Sequence, residues 1–331
     1  MLEKPIIVVG GSAYADIDVL ACVAAYKQYL QLQGHVACGV ITGPWNQTIP
    51  SSIKLWTIDV EKELTYPKNS CRYIMVDFSD PKYVDDFVDL DSVIEVFDHH
   101  YGYEDYWHEK IGDNAKIEKI GACATLIWEK FKTTKIEDKI STVNANLLYT
   151  AIMANTLDFR SKVTHERDII AAKELLAFTQ LPKNWKEIYY AEIEEQFLRN
   201  SLKNILDDTK NIRIFETPFN FGQIELSNAG DFIQKSAKTL KSLGSLQNDN
   251  KLEPWLVNIV SIEEDCSYIY CNSAALRDMT KTITAANNLT DIANYGNNLL
   301  VTKRLWLRKE LLKEMLILQK EQVHCYNNLS P

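Results

Sequence analysis

The chain contains no Cys-x-x-Cys pair, and its seven cysteines (22, 38, 71, 123, 266, 271 and 325) are odd in number. That pattern argues against a zinc ribbon and against a paired disulfide framework. Most of them lie inside apolar runs such as "ACVAAY" and "VACGV", where a thiol acts as a small buried hydrophobe. The nearest pair, Cys266 and Cys271, has no further metal ligands close by in sequence. The expectation is a reduced, cytoplasmic protein. No apolar run is long enough to span a bilayer, and the opening "MLEKPIIVVGG" reads as a short strand behind an acid, not as a signal peptide. Positive charge is also short, 36 Lys and Arg against 45 Asp and Glu, for a net charge of -9. This argues against non-specific binding to nucleic acid or anionic membrane and leaves a local basic cleft open. Repeats and low-complexity segments are absent. The "GG" at 10–11 is not followed by the spacing of a dinucleotide fingerprint.

At 331 residues the chain suits two domains of ordinary size. The first half alternates short apolar strands ("PIIVVGG", "HVACGVIT", "YIMVDFS", "SVIEVFDHH") with helical stretches ("DIDVLACVAAYKQYLQLQG", "GACATLIWEKFKTT", "NANLLYTAIMANTL"). Continuous apolar strands separated by helices indicate an α/β domain, a parallel sheet with helices on both faces. Pro182 interrupts a helical pattern near "AFTQLPKNWKEI", which suggests domains at 1–185 and 190–331. The second reads as a smaller α+β domain. It opens with one helix over "IYYAEIEEQFLRNSLKNILDD" and continues with strands at "NIRIFET", "FGQIELSN", "PWLVNIVSI" and "CSYIYCNS", interrupted by the helical "DFIQKSAKTLKSLG".

Histidine is scarce, six in all, yet two stand side by side in "EVFDHH" at the end of an apolar strand. An acid and two imidazoles are expensive to hold at a buried strand terminus without a partner. In parallel sheets ligands bind at the carboxyl ends of the strands. Asp16 and Asp18 follow the first strand, Asp77 ends "YIMV", and Asp98, His99 and His100 end "VIEVF". Three strands would thus deliver carboxylates and imidazoles to one edge. Oxygen and nitrogen donors of this kind suit Mn²⁺ or Mg²⁺. Taken singly, Asp16 is an ordinary helix N-cap and Asp77 an ordinary strand-end residue; their conjunction with the paired histidines points to metal.

This "DHH" after an apolar strand, with an upstream "DID" and an intermediate strand-end Asp, resembles the DHH phosphoesterase superfamily. "IGACATLIWEKF" (120–131) is similar to a segment of its exopolyphosphatase and prune-like branch and of the related manganese-dependent inorganic pyrophosphatases. "AIMANTLDFRSKVTHERDIIAAKEL" resembles the pyrophosphatases' segment after the DHH motif. "QFLRNSLKNI" and "LWLRKELL" resemble C-terminal segments carrying substrate-binding cations, here Lys203, Arg308 and Lys309, in a domain called DHHA2. The resemblance implies a metal-dependent phosphohydrolase that cleaves phosphoanhydride bonds, in pyrophosphate or short polyphosphate, by metal-activated water. Two Mn²⁺ or Mg²⁺ ions would be held by Asp16, Asp18, Asp77 and His99. Asp98 would orient a histidine, and His100 would contact phosphoryl oxygens or protonate the leaving group. The "GACATL" helix start would offer backbone N–H groups of Gly121, Ala122 and Cys123 to a phosphate. Without the resemblance, Lys203 and "RLWLRKELLKE" read as parts of solvated helices.

Two positions depart from the pyrophosphatase pattern. Ser12 in "GSAYADID" stands where that family has a His ligand, and Asn155 in "ANTLDF" stands where it has a metal-binding Asp. One metal site would be weakened accordingly. Asp158 lies on the same face as Asn155 if the segment stays helical, and could supply the missing carboxylate. Two alternatives stay open: a non-catalytic phosphate-ligand-binding protein, and a phosphodiesterase acting on short oligonucleotides or nucleotides. The oligonucleotide branch carries a Gly-Gly-Gly-His run, which is absent here. Trp255, Tyr268 and Tyr270 alternate along strands and read as core pairs, not a base-stacking surface. His165 in "KVTHERD" reads as a loop or helix-start residue, with "THERD" resembling a cap followed by acids; His35 and His108 look incidental. The expected partner is a small phosphorylated anion, with no membrane, and a homodimer through an edge strand is open.

Overall fold

The computed structural model describes residues 4–214, 217–235, 240, 254–286, 292–295 and 298–327. The chain divides into two compact units, Met1–Ile188 and Tyr189–Pro331. In the first, strands β1 (Ile6–Val9), β2 (Ala37–Val40), β3 (Arg72–Val76), β4 (Val93–Asp98) and β5 (Ala115–Ile117) form one parallel sheet in the order β2-β1-β3-β4-β5. The helices are α1 (Ile17–Leu32), α2 (Ser51–Lys54), α3 (Glu104–Ile111), α4 (Cys123–Thr133), α5 (Thr142–Asn155) and α6 (Glu166–Leu175).

Every residue of β1 is buried, and removing each such side chain from water contributes about 1.5–3 kcal/mol. Ile7 and Val9 join Tyr73, Met75, Val96 and Trp107 on one face of the sheet, while α1 and α4 lie against it and α5 packs on both. α1 starts where Asp16 accepts the N–H groups of Asp18 and Val19, each at 3.0 Å, and it closes before the left-handed Gly34 (φ 88°). A Cβ on Gly10 would meet Val19 Cγ1 at 2.3 Å, so the turn from β1 toward α1 requires glycine.

In the second unit, α7 (Trp185–Arg199), within which the boundary falls, is followed by α8 (Ser201–Asp207), β6 (Lys210–Ile214), β7 (Thr217–Leu226) and α9 (Gly230–Lys235). Then come β8 (Trp255–Ser261), β9 (Cys266–Cys271), α10 (Ala274–Ala286), β10 (Ile292–Tyr295), β11 (Leu299–Thr302) and α11 (Arg308–Asn327). Six strands pair in the order β10-β11-β9-β8-β7-β6, antiparallel except for β7 with β8. Apolar clusters cover both faces of this mixed sheet. Trp255, Tyr268 and Tyr270 are buried in one of them, as their alternation suggested.

The single helix expected to open this unit is instead broken at Asn200, whose side chain accepts the N–H of Lys203 at 3.4 Å and starts α8 afresh. A polar side chain that satisfies a free N–H competes with helix continuation. Of the helical "DFIQKSAKTLKSLG", positions 236–239 and 241–244 lie outside the described residues. The cysteines 22, 38, 71, 123, 266 and 271 are free and buried; the surroundings of Cys325 lie outside the described side chains. Among the described residues no helix is long and apolar enough to cross a membrane.

Candidate active site

β1, β3 and β4 are neighbours, so their carboxyl ends meet. Asp77 directly follows β3 in the left-handed region (φ 62°), a conformation Asp tolerates better than most residues. Its N–H donates to Phe97 O at 2.8 Å, and the Cys123 thiol donates to the same carbonyl at 3.3 Å. The carboxyl group is buried. Its Oδ1 lies 3.2 Å from His99 Nε2 but outside hydrogen-bond geometry, and no hydrogen bond reaches that oxygen. Burial pushes the Asp77 carboxyl well above the usual carboxylate range, and the charges of Asp18 and Asp16 push it further.

Asp98 accepts the N–H groups of His99 (2.7 Å) and His100 (3.1 Å) and the Nδ1–H of His100 (2.7 Å). A carboxylate only accepts, so it fixes the tautomer of His100 and leaves the lone pair on Nε2. Burial works against the charge of Asp98, but His100 beside it, and the hydrogen bonds it donates, hold the carboxyl below its ordinary range. The two imidazoles stand at 88° with centroids 4.7 Å apart. The His99 side chain is 2% exposed and that of His100 is 37%. Ligand atoms of Asp77, His99 and His100 lie within 4.8 Å of one another. An oxygen and two nitrogens around an orphaned buried carboxylate oxygen fit a hard or borderline divalent cation.

Asp18 is fully buried. Its carboxylate accepts the N–H groups of Cys123 and Ala124, each at 2.9 Å, and its Oδ2 lies 3.9 Å from His99 Nε2. Asp16 uses Oδ1 to cap α1. Both belong to the same acidic cluster, with Asp18 anchored to α4.

Other expectations need correction. The N–H of Gly121 donates to Asp168 and that of Cys123 to Asp18, so these groups are satisfied inside the protein and do not face a phosphate. Ala122, between them, is fully buried. Burial raises the Cys123 thiol, which makes it a poor nucleophile. α5 ends at Asn155, and Leu157, Asp158 and Phe159 are left-handed, so the helical face that would carry Asp158 beside Asn155 does not exist. Asp158 instead pairs with Lys186 at 2.7 Å. Asp158→Asn, which keeps the left-handed tolerance, should therefore leave Mn²⁺ affinity unchanged in a calorimetric titration and lower stability by less than about 1 kcal/mol. The two departures from the family pattern are also engaged locally. Ser12 Oγ donates to Tyr83 O at 2.9 Å, and Asn155 Nδ2 donates to Ala151 O at 3.2 Å.

In the second unit Lys203 pairs with Asp207, and Arg308 Nη1 donates to the carbonyl (2.6 Å) and carboxylate (3.0 Å) of the adjacent Asp208. Arg308 N donates to Gln223 Oε1. Lys309 follows Arg308 in the first turn of α11. Three residues were not singled out in advance: Asp168, Thr125 and Glu225. The "THERD" pattern announced a capped helix, and His165 does cap α6 in a reciprocal box with Asp168. Nothing local announced that Asp168 also reaches Gly121 and Thr125.

No family model matches the chain. Two curated relatives, each named "Probable manganese-dependent inorganic pyrophosphatase", are similar over most of their length. That of Bacillus licheniformis is 21% identical over 286 residues, 85% of this chain and 91% of the relative. That of Bacillus velezensis is 22% identical over 312 residues, 93% of this chain and 96% of the relative. A crystal structure from Methanococcus jannaschii, assigned to the family II inorganic pyrophosphatases, superposes with a TM-score of 0.67 at 19% identity, covering 95% of this chain and 99% of that one. Over most of its length, then, the chain is similar to proteins named manganese-dependent inorganic pyrophosphatases and shares the two-unit fold of a structure assigned to family II of those enzymes.

Proposed function

We propose that the protein is a metal-dependent phosphohydrolase that cleaves phosphoanhydride bonds, in pyrophosphate or short polyphosphate. The observation that carries this reading is Asp77: a buried carboxylate on a left-handed strand end, with an unbonded oxygen 3.2 Å from His99 Nε2. The names of the relatives agree with it. Asp77 and His99, with Asp18 and Asp16 beside them, would hold Mn²⁺ or Mg²⁺. A bound ion of this kind lowers the pKa of water and polarises a phosphoryl oxygen. His100, pinned through Nδ1 by Asp98 and partly exposed, is suited to contact a phosphoryl oxygen or pass a proton to the leaving group at Nε2. Lys203, Arg308 and Lys309 would offset the negative charge of the substrate. Buried free thiols suit a reducing compartment, the cytoplasm.

The test is phosphate release from pyrophosphate, tripolyphosphate, longer polyphosphate and a short oligonucleotide, with Mn²⁺, with Mg²⁺ and with chelator. Release from an anhydride should depend on metal and fall at least about a hundredfold in His99→Ala. The engaged Ser12 and Asn155 favour a second reading, a protein that binds a phosphorylated ligand without turning it over. Binding of pyrophosphate with no release under any metal would select it.

A further inference from the structure

We propose that Asp168 is a positioning residue for the metal centre, acting through the first turn of α4 on the carboxylate of Asp18. The inference rests on the functional reading above.

Asp168 is fully buried. Its Oδ2 accepts the N–H of Gly121 (2.9 Å) and of His165 (2.7 Å), and its Oδ1 accepts the hydroxyl of Thr125 (2.6 Å). Capping α6 needs only the His165 contact. The other two reach across to the start of α4, where a helix leaves N–H groups without intrahelical partners. α4 has no side-chain cap of its own, because Ala122 occupies that position. Two acids from elsewhere take over: Asp168 from α6 holds Gly121 and Thr125, and Asp18 from α1 holds Cys123 and Ala124.

These grips share one turn of backbone. A shift of α4's start carries with it the two N–H groups that orient the Asp18 carboxylate, whose Oδ2 lies 3.9 Å from His99 Nε2. The fit at Gly121 is close. A Cβ there would meet Asp168 Oδ2 at 2.5 Å and Thr156 Cγ2 at 2.6 Å, so Gly121 is the residue that lets the carboxylate approach the backbone. Outer partners of this kind hold metal ligands in place, and their loss weakens metal affinity about 10–100-fold.

The experiment measures Mn²⁺ affinity by isothermal titration calorimetry and the electron paramagnetic resonance spectrum of bound Mn²⁺, in wild type, Asp168→Ala, Asp168→Asn and Thr125→Val. All are measured well below each variant's Tm. Asp168→Ala should bind Mn²⁺ about 10–100-fold more weakly with an altered spectrum. Asp168→Asn keeps a carbonyl oxygen for the two N–H groups and an amide that can donate to Thr125 Oγ1, so it should bind within about threefold of wild type. Thr125→Val removes one hydroxyl while α6 keeps its cap, and it decides the matter if Asp168→Ala does not fold; a loss on the order of tenfold is expected. Variants that melt earlier yet bind Mn²⁺ with wild-type affinity and spectrum overturn the proposal and leave the functional reading standing. A wild type that binds no Mn²⁺ overturns both.

Discussion

Asp77→Asn should abolish measurable Mn²⁺ binding and at the same time make the metal-free protein more stable. The two effects have one cause. Without a cation, the buried Asp77 carboxylate has an oxygen with no hydrogen-bond donor and stands near Asp18 and Asp16, which disfavour its charge. A buried charge lacking a partner is strongly destabilising. Asn has nearly the same shape, tolerates the left-handed backbone at this position and removes the charge. Metal-free Asp77→Asn should gain on the order of 1–3 kcal/mol, offset in part by the amide's own need for partners. Wild type should recover this with the ion, since a ligand at a hundred times its Kd stabilises the folded state by about 2.7 kcal/mol. Calorimetric scans with chelator and with Mn²⁺ would read both: a Tm raised by Mn²⁺ in wild type alone, and a higher metal-free Tm in the variant. A variant that is less stable and still shifted by Mn²⁺ would mean that another residue supplies the central charge.

The second large effect concerns pH. Glu225 on β7 is half-buried, and burial together with the nearby Asp208 pushes its carboxyl up to about 7 from an ordinary 4.5, against the opposing pull of a hydrogen bond from Gln223 and the charges of Arg308 and Lys309. An unfolded chain ionises Glu225 near 4.5, whereas the folded chain keeps the proton until about 7. In that window the folded state binds more protons, so stability falls as pH rises and stays low above it. Glu225→Gln should therefore remove this decline and stabilise the protein at pH 8 by about 2 kcal/mol, allowing for partial exposure to water. Denaturant unfolding at pH 4.5, 6 and 8 checks it. Parallel curves for wild type and variant across that range would show that Arg308 and Lys309 compensate the carboxylate fully.

The ends of β3 and β4 were legible because those apolar runs stop abruptly at Asp77 and at Asp98-His99-His100, and a parallel sheet then gathers those stops, with the acids that follow β1, along one edge. β5 was not, since Ala115–Ile117 is too short to carry a pattern. The place of Asp158 turned on the sign of φ after Asn155, which residue types alone do not reveal. "GACATL" was visible as a helix start with free N–H groups. That two buried acids already hold them depends on contacts spanning 105 residues to Asp18 and 47 to Asp168. In the second unit, the cations were placed on helices as expected, while Glu225 lay hidden as one alternating residue of a strand.

Those long spans bear on how the centre comes into being. Among the described residues the first unit has no hairpin: each strand pair there is parallel, and a parallel pair needs a crossover before it can form. Contacts this far apart in sequence form late and slowly. Asp18, Asp77 and His99 come together only once β1, β3 and β4 have paired, and a chain in which they have not offers Mn²⁺ only scattered carboxylates. Small zinc domains gather around their ion as they fold; on the proposed reading the order here would be reversed, with uptake of metal following the pairing of β1, β3 and β4.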